Sequence, residues 1–421
     1  MSEKIDLLSR REFLKQGLTL AAASATVPSF LARTALAMST ESEGALVQSR
    51  PGVPDHHVLV VVQLSGGNDG LNTVIPFRQD AYYRVRPTLA LPKERILPLN
   101  DELGLNPGLA GLRSLYDQGL LGVVQGVGYP NPDRSHFRSM EIWQTGVVDD
   151  FQSTGWIGRV FDHTCANQHL HNCSPTLAVS VGRTLNPALR GQQGVGVAVQ
   201  DAERFYRMTR LYTAYGDVEL EESVRPESDR PLDFLRRTAM NAQLSAERIR
   251  RAVRSAQRHI DYPKNAFARG LKLIAGMIAG GLDARVYYIS LSGFDTHANQ
   301  IQVHERLLQV LGDGLAAFQQ DLENLGQAER VLGMTFSEFG RRVAENGSRG
   351  TDHGKAAPMF FFGKPVRAGI LGEHPSLDAL ADGDLRFQID FRSAYATVLE
   401  KWLGVDSAAI LGRKFSTLDV I

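Results

Sequence analysis

The chain has 421 residues, with 46 basic and 46 acidic side chains and a formal net charge of zero. That balance, without a long run of one sign, excludes a basic nucleic-acid-binding surface, so no nucleic-acid partner is expected. Past the amino-terminal segment no stretch is long and apolar enough to span a bilayer, which excludes stable membrane insertion.

Residues 1–37 read as a targeting segment. Ser9-Arg10-Arg11-Glu12-Phe13-Leu14-Lys15 is a twin-arginine motif, Gly17 to Leu31 is mildly apolar, and Ala35-Leu36-Ala37 is a small-residue cleavage site. The expectation is a precursor passed folded to the twin-arginine translocase, cleaved after Ala37 and released as a soluble periplasmic protein. Folded export fits a protein that acquires its metal in the cytoplasm. Removing the leader leaves about 380 residues, enough for one large α/β domain or two ordinary ones. Residues 38–56 are rich in Ser, Glu, Gly and Pro and predict a flexible lead-in to a domain over 57–421.

That domain opens on the apolar run Val58 to Leu64, a strand buried on both faces. The turn Ser65-Gly66-Gly67-Asn68-Asp69-Gly70 follows, where glycines permit unusual backbone angles and a close approach by a ligand. A helix is predicted around Pro107 to Gln118 and a strand at Leu121 to Gln125. Tyr129 to Arg134 is rich in turn residues and leads into a helix from about Ser135 to Gln144. Its amino terminus carries Ser135 and His136 between Arg134 and Arg138. Free N–H groups, a positive dipole end and two arginines there suit a phosphate or sulfate group. Ser135 is either a metal-activated nucleophile or simply a good cap.

Cys165 and Cys173 lie close together, with His163, His169 and His171 nearby; a local disulfide or a small zinc site fits them. A strand is expected at Thr176 to Val181. Residues 201–262, dominated by Arg, Ala, Glu and Gln with apolar residues at helical spacing from Leu232 to Ile260, predict a helical insertion or cap with a solvated face. Helices at Asn265 to Ala279 and Asn299 to Leu325 each lead to a strand, Arg285 to Leu291 and Val331 to Phe336. A further strand at Met359 to Gly363 and a closing helix at Phe391 to Leu403 complete the order. Strands alternating with helices predict a doubly wound, mostly parallel sheet.

Gly293-Phe294-Asp295-Thr296-His297 follows one of these strands, and if the strand runs on, period-two spacing points Asp295 and His297 the same way. Phe336-Ser337-Glu338-Phe339-Gly340 follows another; Glu338 either ligates a metal or pairs with Arg341 or Arg342. Asp352-His353-Gly354 lies in a polar loop. Strand ends in a parallel sheet converge on one edge, and carboxylates and imidazoles gathered there make a divalent-metal site.

Taken together, Gly66 to Gly70, Arg134-Ser135-His136-Phe137, Gly293 to His297, Ser337 to Arg341 and Asp352-His353-Gly354 resemble the alkaline phosphatase and sulfatase superfamily. More closely they resemble its twin-arginine-exported family known as domain of unknown function 1501, over about Val58 to Gly404. The resemblance implies an α/β/α sandwich with two divalent metals at the strand ends around a nucleophile. It makes Asp69 a ligand of the metal beside the nucleophile, and Asp295, His297 and His353 ligands of the other. Two positions depart from the superfamily pattern. One histidine is missing after the strand that ends in Ser337-Glu338, and counting back from Trp143-Gln144-Thr145-Gly146 puts the nucleophile slot on His136, one residue past Ser135. No Cys-x-Pro-Ser-Arg sulfatase signature is present.

The function expected is a periplasmic metal-dependent hydrolase of small-molecule or polymer-borne phosphate or sulfate esters. Asp69, Asp295, His297, Glu338 and His353 would ligate one or two divalent ions (zinc, manganese, magnesium or calcium). Ser135 or His136 would attack or hold the ester, and Arg134 or Arg138 would clamp its oxyanion. The alternative is a non-catalytic periplasmic binding or assembly protein that keeps the fold.

Overall fold

A computed structural model describes residues 56–166, 175–192, 196–215, 231–256 and 260–421. The targeting segment, nearly all of the lead-in, Cys173, His169 and His171 lie outside the described residues. Nine strands form the main sheet. They are β1 (Val58–Ser65), β2 (Leu121–Gly128), β3 (Ala178–Val181), β4 (Val197–Val199), β5 (Val286–Ser292), β6 (Val331–Phe336), β7 (Ala357–Phe362), β8 (Gly369–Leu371) and β9 (Ile389–Asp390). The larger helices are α1 (Ala110–Asp117), α2 (His136–Thr145), α3 (Trp156–Ala166), α4 (Ala202–Tyr215), α5 (Pro231–Ser255), α6 (Ala266–Ala279), α7 (Gln300–Asn324) and α8 (Phe391–Thr397).

The strand order is β8-β2-β7-β6-β1-β5-β3-β4, with β9 also beside β2. β1 runs parallel to β5 and β6, and β3 parallel to β4 and β5. β7 is antiparallel to both its neighbours, β6 and β2. The fold is therefore α/β with a mostly parallel central sheet, as the alternation of elements predicts.

Each central strand is apolar on both faces because both faces are covered. Val58, Val60, Val62 and Leu64 pack into a core with residues of α1, α6 and α7. Leu59 and Val61 pack into a second core on the other face, with Trp143, Ile157, Phe161 and Tyr395 of α2, α3 and α8. Two helices, α4 and α5, occupy most of the described part of 201–262, and Ala246, Ile249 and Ala252 bury one face of α5 in the first core. Asn265 starts α6 by accepting from the Ala268 N–H at 2.8 Å, so the element begins where its capping residue stands. After α8 the chain continues as a π-helical turn, Val398–Leu403, where one α-helix was expected. Cys165 is disulfide-bonded, which removes it as a thiolate ligand and corrects the zinc reading. Among the described residues no helix is long and apolar enough to cross a membrane.

The reversal of β7 decides where the site forms. β1, β5 and β6 end at one edge of the sheet, delivering Gly66, Asp295 and Glu338. Because β7 runs the other way, its start lies at that same edge and carries His353. α2 begins there too, after β2 ends at Gly128, and brings His136.

Candidate metal centre

The Gly-rich turn after β1 is shaped by backbone packing. Gly66 has φ +122°, and a Cβ there would stand 2.3 Å from the Asp295 N. A Cβ on Gly67, at φ +78°, would meet the Phe339 ring at 2.3 Å. The glycines thus let three loops stack directly, which sets the positions of their polar side chains.

Three imidazoles point inward on one carboxylate oxygen. Asp295 Oδ1 lies 3.0 Å from His297 Nε2, 3.2 Å from His353 Nε2 and 3.4 Å from His136 Nε2. The Nε2 atoms of His297 and His353 are 2.9 Å apart. His136, Asp295 and His353 offer ligand atoms all within 4.8 Å of one another, a possible metal-binding group.

Each ring is held from behind by its other nitrogen. His136 Nδ1 donates to Glu338 Oε1 at 2.9 Å, and His353 Nδ1 donates to the Arg134 carbonyl at 2.8 Å. His297 Nδ1 faces Asp352 Oδ1 at 3.4 Å. Acceptors behind Nδ1 put the proton there and turn the lone pair of Nε2 inward. Two such lone pairs 2.9 Å apart repel unless a cation or a proton lies between them. His136 Nε2 is buried with no hydrogen-bond partner among the described residues. Separations of about 3 Å suit ligands about 2.0–2.2 Å from one ion, so the donor set fits a metal.

Arg341 is a fixed cation at this carboxylate. It is buried, donates to the Gly67 carbonyl (2.7 Å), the Thr351 carbonyl (2.7 Å), the Phe294 carbonyl (3.0 Å) and the Gly66 carbonyl, and reaches Asp295 Oδ1 at 2.7 Å. Burial works to raise the Asp295 carboxyl, but the hydrogen bond and charge of Arg341 are the main opposing influence and it is held down at about 2. Burial likewise lowers the His353 imidazole below its ordinary value, favouring the neutral form that ligates.

The other expected residues are placed differently. Asp69 is fully buried, away from the cluster, with Oδ2 accepting from Arg86 at 2.5 Å and from Gln300. Burial would raise its carboxyl, and the Arg86 charge overrides that and lowers it. Glu338 is buried behind His136 and also accepts from the Gly66 N–H at 2.8 Å; it pairs with neither Arg341 nor Arg342. Ser135 is the N-cap position of α2, exposed and making no side-chain cap bond. Arg134 pairs with the buried Asp384, and Arg138 is committed to Glu141 and to the carbonyls of Val148 and Asp150. Trp143-Gln144-Thr145-Gly146 is a helix end: Gly146 takes the left-handed C-cap conformation, and the Trp143 ring stacks on Phe336 and Phe391 in the core.

Sequence reasoning missed Arg86, Gln300 and Arg341 as the frame of the site. Gln300 joins three motifs at once, donating to Asp69 and accepting from the hydroxyls of Thr296 (3.0 Å) and Thr351 (2.6 Å). No local pattern announces such a residue; its only sign is an amide at the first position of a long helix.

A cavity of about 670 Å³ opens beside His136 and Asp295, between the sheet edge and α2. Ser65, Ser292, Gln144 and Arg190 are among its lining residues, and Phe137, 91% exposed, stands at its rim.

Among solved structures, the chain is similar to the PsFucS1 sulfatase from Pseudoalteromonas sp. at 11% identity and a TM-score of 0.38, covering 86% of this chain and 70% of that one. It is also similar to a protein in the alkaline phosphatase superfamily from Vibrio parahaemolyticus, at 8% identity and a TM-score of 0.39, covering 91% and 77%. The lipoteichoic acid synthase LtaP from Listeria monocytogenes gives 8% and 0.36, covering 90% and 80%. No curated protein matches the chain in sequence. The profile of a family described as "Protein of unknown function (DUF1501)" matches residues 123–414, which include α2 and every residue of the imidazole cluster. That match takes in well over half of the 421 residues, and the chain belongs to the DUF1501 family.

Proposed function

We propose that this chain is a metal-dependent hydrolase of phosphate or sulfate esters, exported folded to the periplasm by the twin-arginine route. The observation that carries the reading is the orientation of His136, His297 and His353: each Nδ1 meets an oxygen acceptor and each Nε2 faces Asp295 Oδ1. Imidazole ligands with such outer partners are the usual construction of a metal site. Two imidazole nitrogens, from His136 and His353, and one Asp295 oxygen, with His297 Nε2 beside them and Arg341 offsetting part of the carboxylate's charge, favour zinc or manganese over magnesium or calcium, which prefer oxygen ligands. A divalent ion there would neutralise ester oxygens and lower the pKa of a water. His136 then serves as a ligand, Glu338 orients it, and Ser135 is left as a helix-start residue.

The second reading, a binding or assembly protein, is favoured by the exposure of Ser135 and the engagement of Arg134 and Arg138. One experiment separates the two. Protein purified from exporting cells is assayed for bound metal and for hydrolysis of aryl phosphate and aryl sulfate esters, beside Ser135→Ala and His136→Ala. The hydrolase reading expects bound metal, turnover of one ester class, little effect of Ser135→Ala, and loss of both metal and turnover in His136→Ala. Metal-replete protein that turns over neither ester would establish the binding reading in its place.

A further inference from the structure

β1 and β5 are apolar except on one face near their carboxyl ends. Gln63 and Ser65 of β1 stand in register with Ser290 and Ser292 of β5, while Leu64 and Leu291 between them enter the core on the opposite side. A polar group in a doubly covered parallel strand is costly unless it is hydrogen-bonded. Gln63 meets that demand, since its Oε1 accepts from the hydroxyls of Tyr288 (2.5 Å) and Ser290 (3.3 Å). Ser65, half-buried, and Ser292, exposed, make no hydroxyl hydrogen bond among the described residues and open to the cavity beside His136 and Asp295, where they are free to meet a ligand.

We propose that Ser65 and Ser292 form a hydroxyl pair that donates to the nonbridging oxygens of a phosphate or sulfate group held at the imidazole cluster. The proposal rests on the hydrolase reading for the identity of that group. Register-paired residues on neighbouring strands are about 4.8 Å apart, a span that brackets a tetrahedral oxyanion. Ser65 precedes Gly66, whose N–H shares Glu338 Oε1 with His136, so one hydroxyl is carried by the same turn that fixes a ligand ring. Arg134 and Arg138, the cations nearest in sequence to His136, are committed elsewhere. Hydroxyl donors to a charged acceptor make short, strong bonds, and here they act in a cavity that Arg190 also lines.

The test is calorimetric titration of the purified protein with inorganic phosphate and inorganic sulfate, repeated on Ser65→Ala, Ser292→Ala and the double variant. Metal content and thermal midpoint are measured on the same samples. Each single variant is expected to bind the preferred anion about tenfold more weakly, and the double variant more weakly still, at unchanged metal content and midpoint. Equal affinity in the double variant overturns the proposal, as does a metal-replete wild type that binds neither anion. Wild type that binds an anion through these hydroxyls without any metal would sink the hydrolase reading and leave the hydroxyl pair standing.

Discussion

The buried glutamate just past the end of β6 has both its strong contacts in one oxygen, Glu338 Oε1, which accepts from His136 Nδ1 and from the Gly66 N–H. Replacing the glutamate tests its hold on the ring directly. Glu338→Gln keeps the shape and loses the charge, and should weaken metal affinity about 10–100-fold while the fold persists, as is usual for outer partners of ligating histidines. Competition with a chromophoric chelator reads this; unchanged affinity would remove Glu338 from the site. His297→Ala removes a ligand and should cost most of the metal, with a lower thermal midpoint only in metal-loaded samples. Asp295 and His297 do come together, but not by the period-two spacing the sequence suggested, since the strand ends at Ser292 and Gly293, at φ +116°, turns the chain before them. The sequence also put the unusual slot on His136, which the structure brings beside Asp295 and His353. It could not place Glu338 correctly, since a buried carboxylate at a strand end has the same signature whether it binds a metal or orients a ring. The ion pair that holds Asp69 had no local sign, because its partner, Arg86, lies outside every motif.

At the scale of elements, α7 locks the turn after β1 from behind. Gln300 reaches Asp69, and four residues on, His304 Nε2 donates to Asn68 Oδ1 at 2.9 Å. Asp69→Asn leaves the Arg86 charge buried and unpaired, a change that costs about 3–5 kcal/mol. Denaturation should register that loss while elemental analysis finds the metal unchanged; the opposite pattern would return Asp69 to the ligand set. Burial of the His304 ring lowers its pKa to about 4, against about 6.5 when unfolded. Between those values the unfolded chain binds the additional proton, so stability contributed by the neutral ring declines as pH falls from about 6.5 towards 4. The urea midpoint of wild type should therefore drop between pH 7 and pH 5 more than that of His304→Gln, and parallel curves would exclude the effect. The central strands were readable to within a residue or two, because continuous apolar runs bounded by Gly and Asp are strong local signals. β4, three residues long, and the π-helical turn after α8 were not, and the direction of β7 leaves no trace in an all-apolar run.

For the molecule as a whole, export should depend on Arg10 and Arg11. Replacing both by Lys is expected to leave a folded, metal-bound, uncleaved precursor in the cytoplasm, seen by fractionation and mass; mature protein in the periplasm would exclude the twin-arginine route. The position of β7 bears on the order in which the chain folds. β7 lies between β2 and β6, yet among the described residues it is the seventh strand of that sheet in chain order. Until residue 362 has left the ribosome, β2 cannot join the sheet and β6 presents an unpaired apolar edge, the kind of surface on which nascent chains stick to one another. Completion of the sheet must therefore wait for residues 357–362, and a chain cut short before Ala357 should aggregate during synthesis rather than persist as a smaller folded unit.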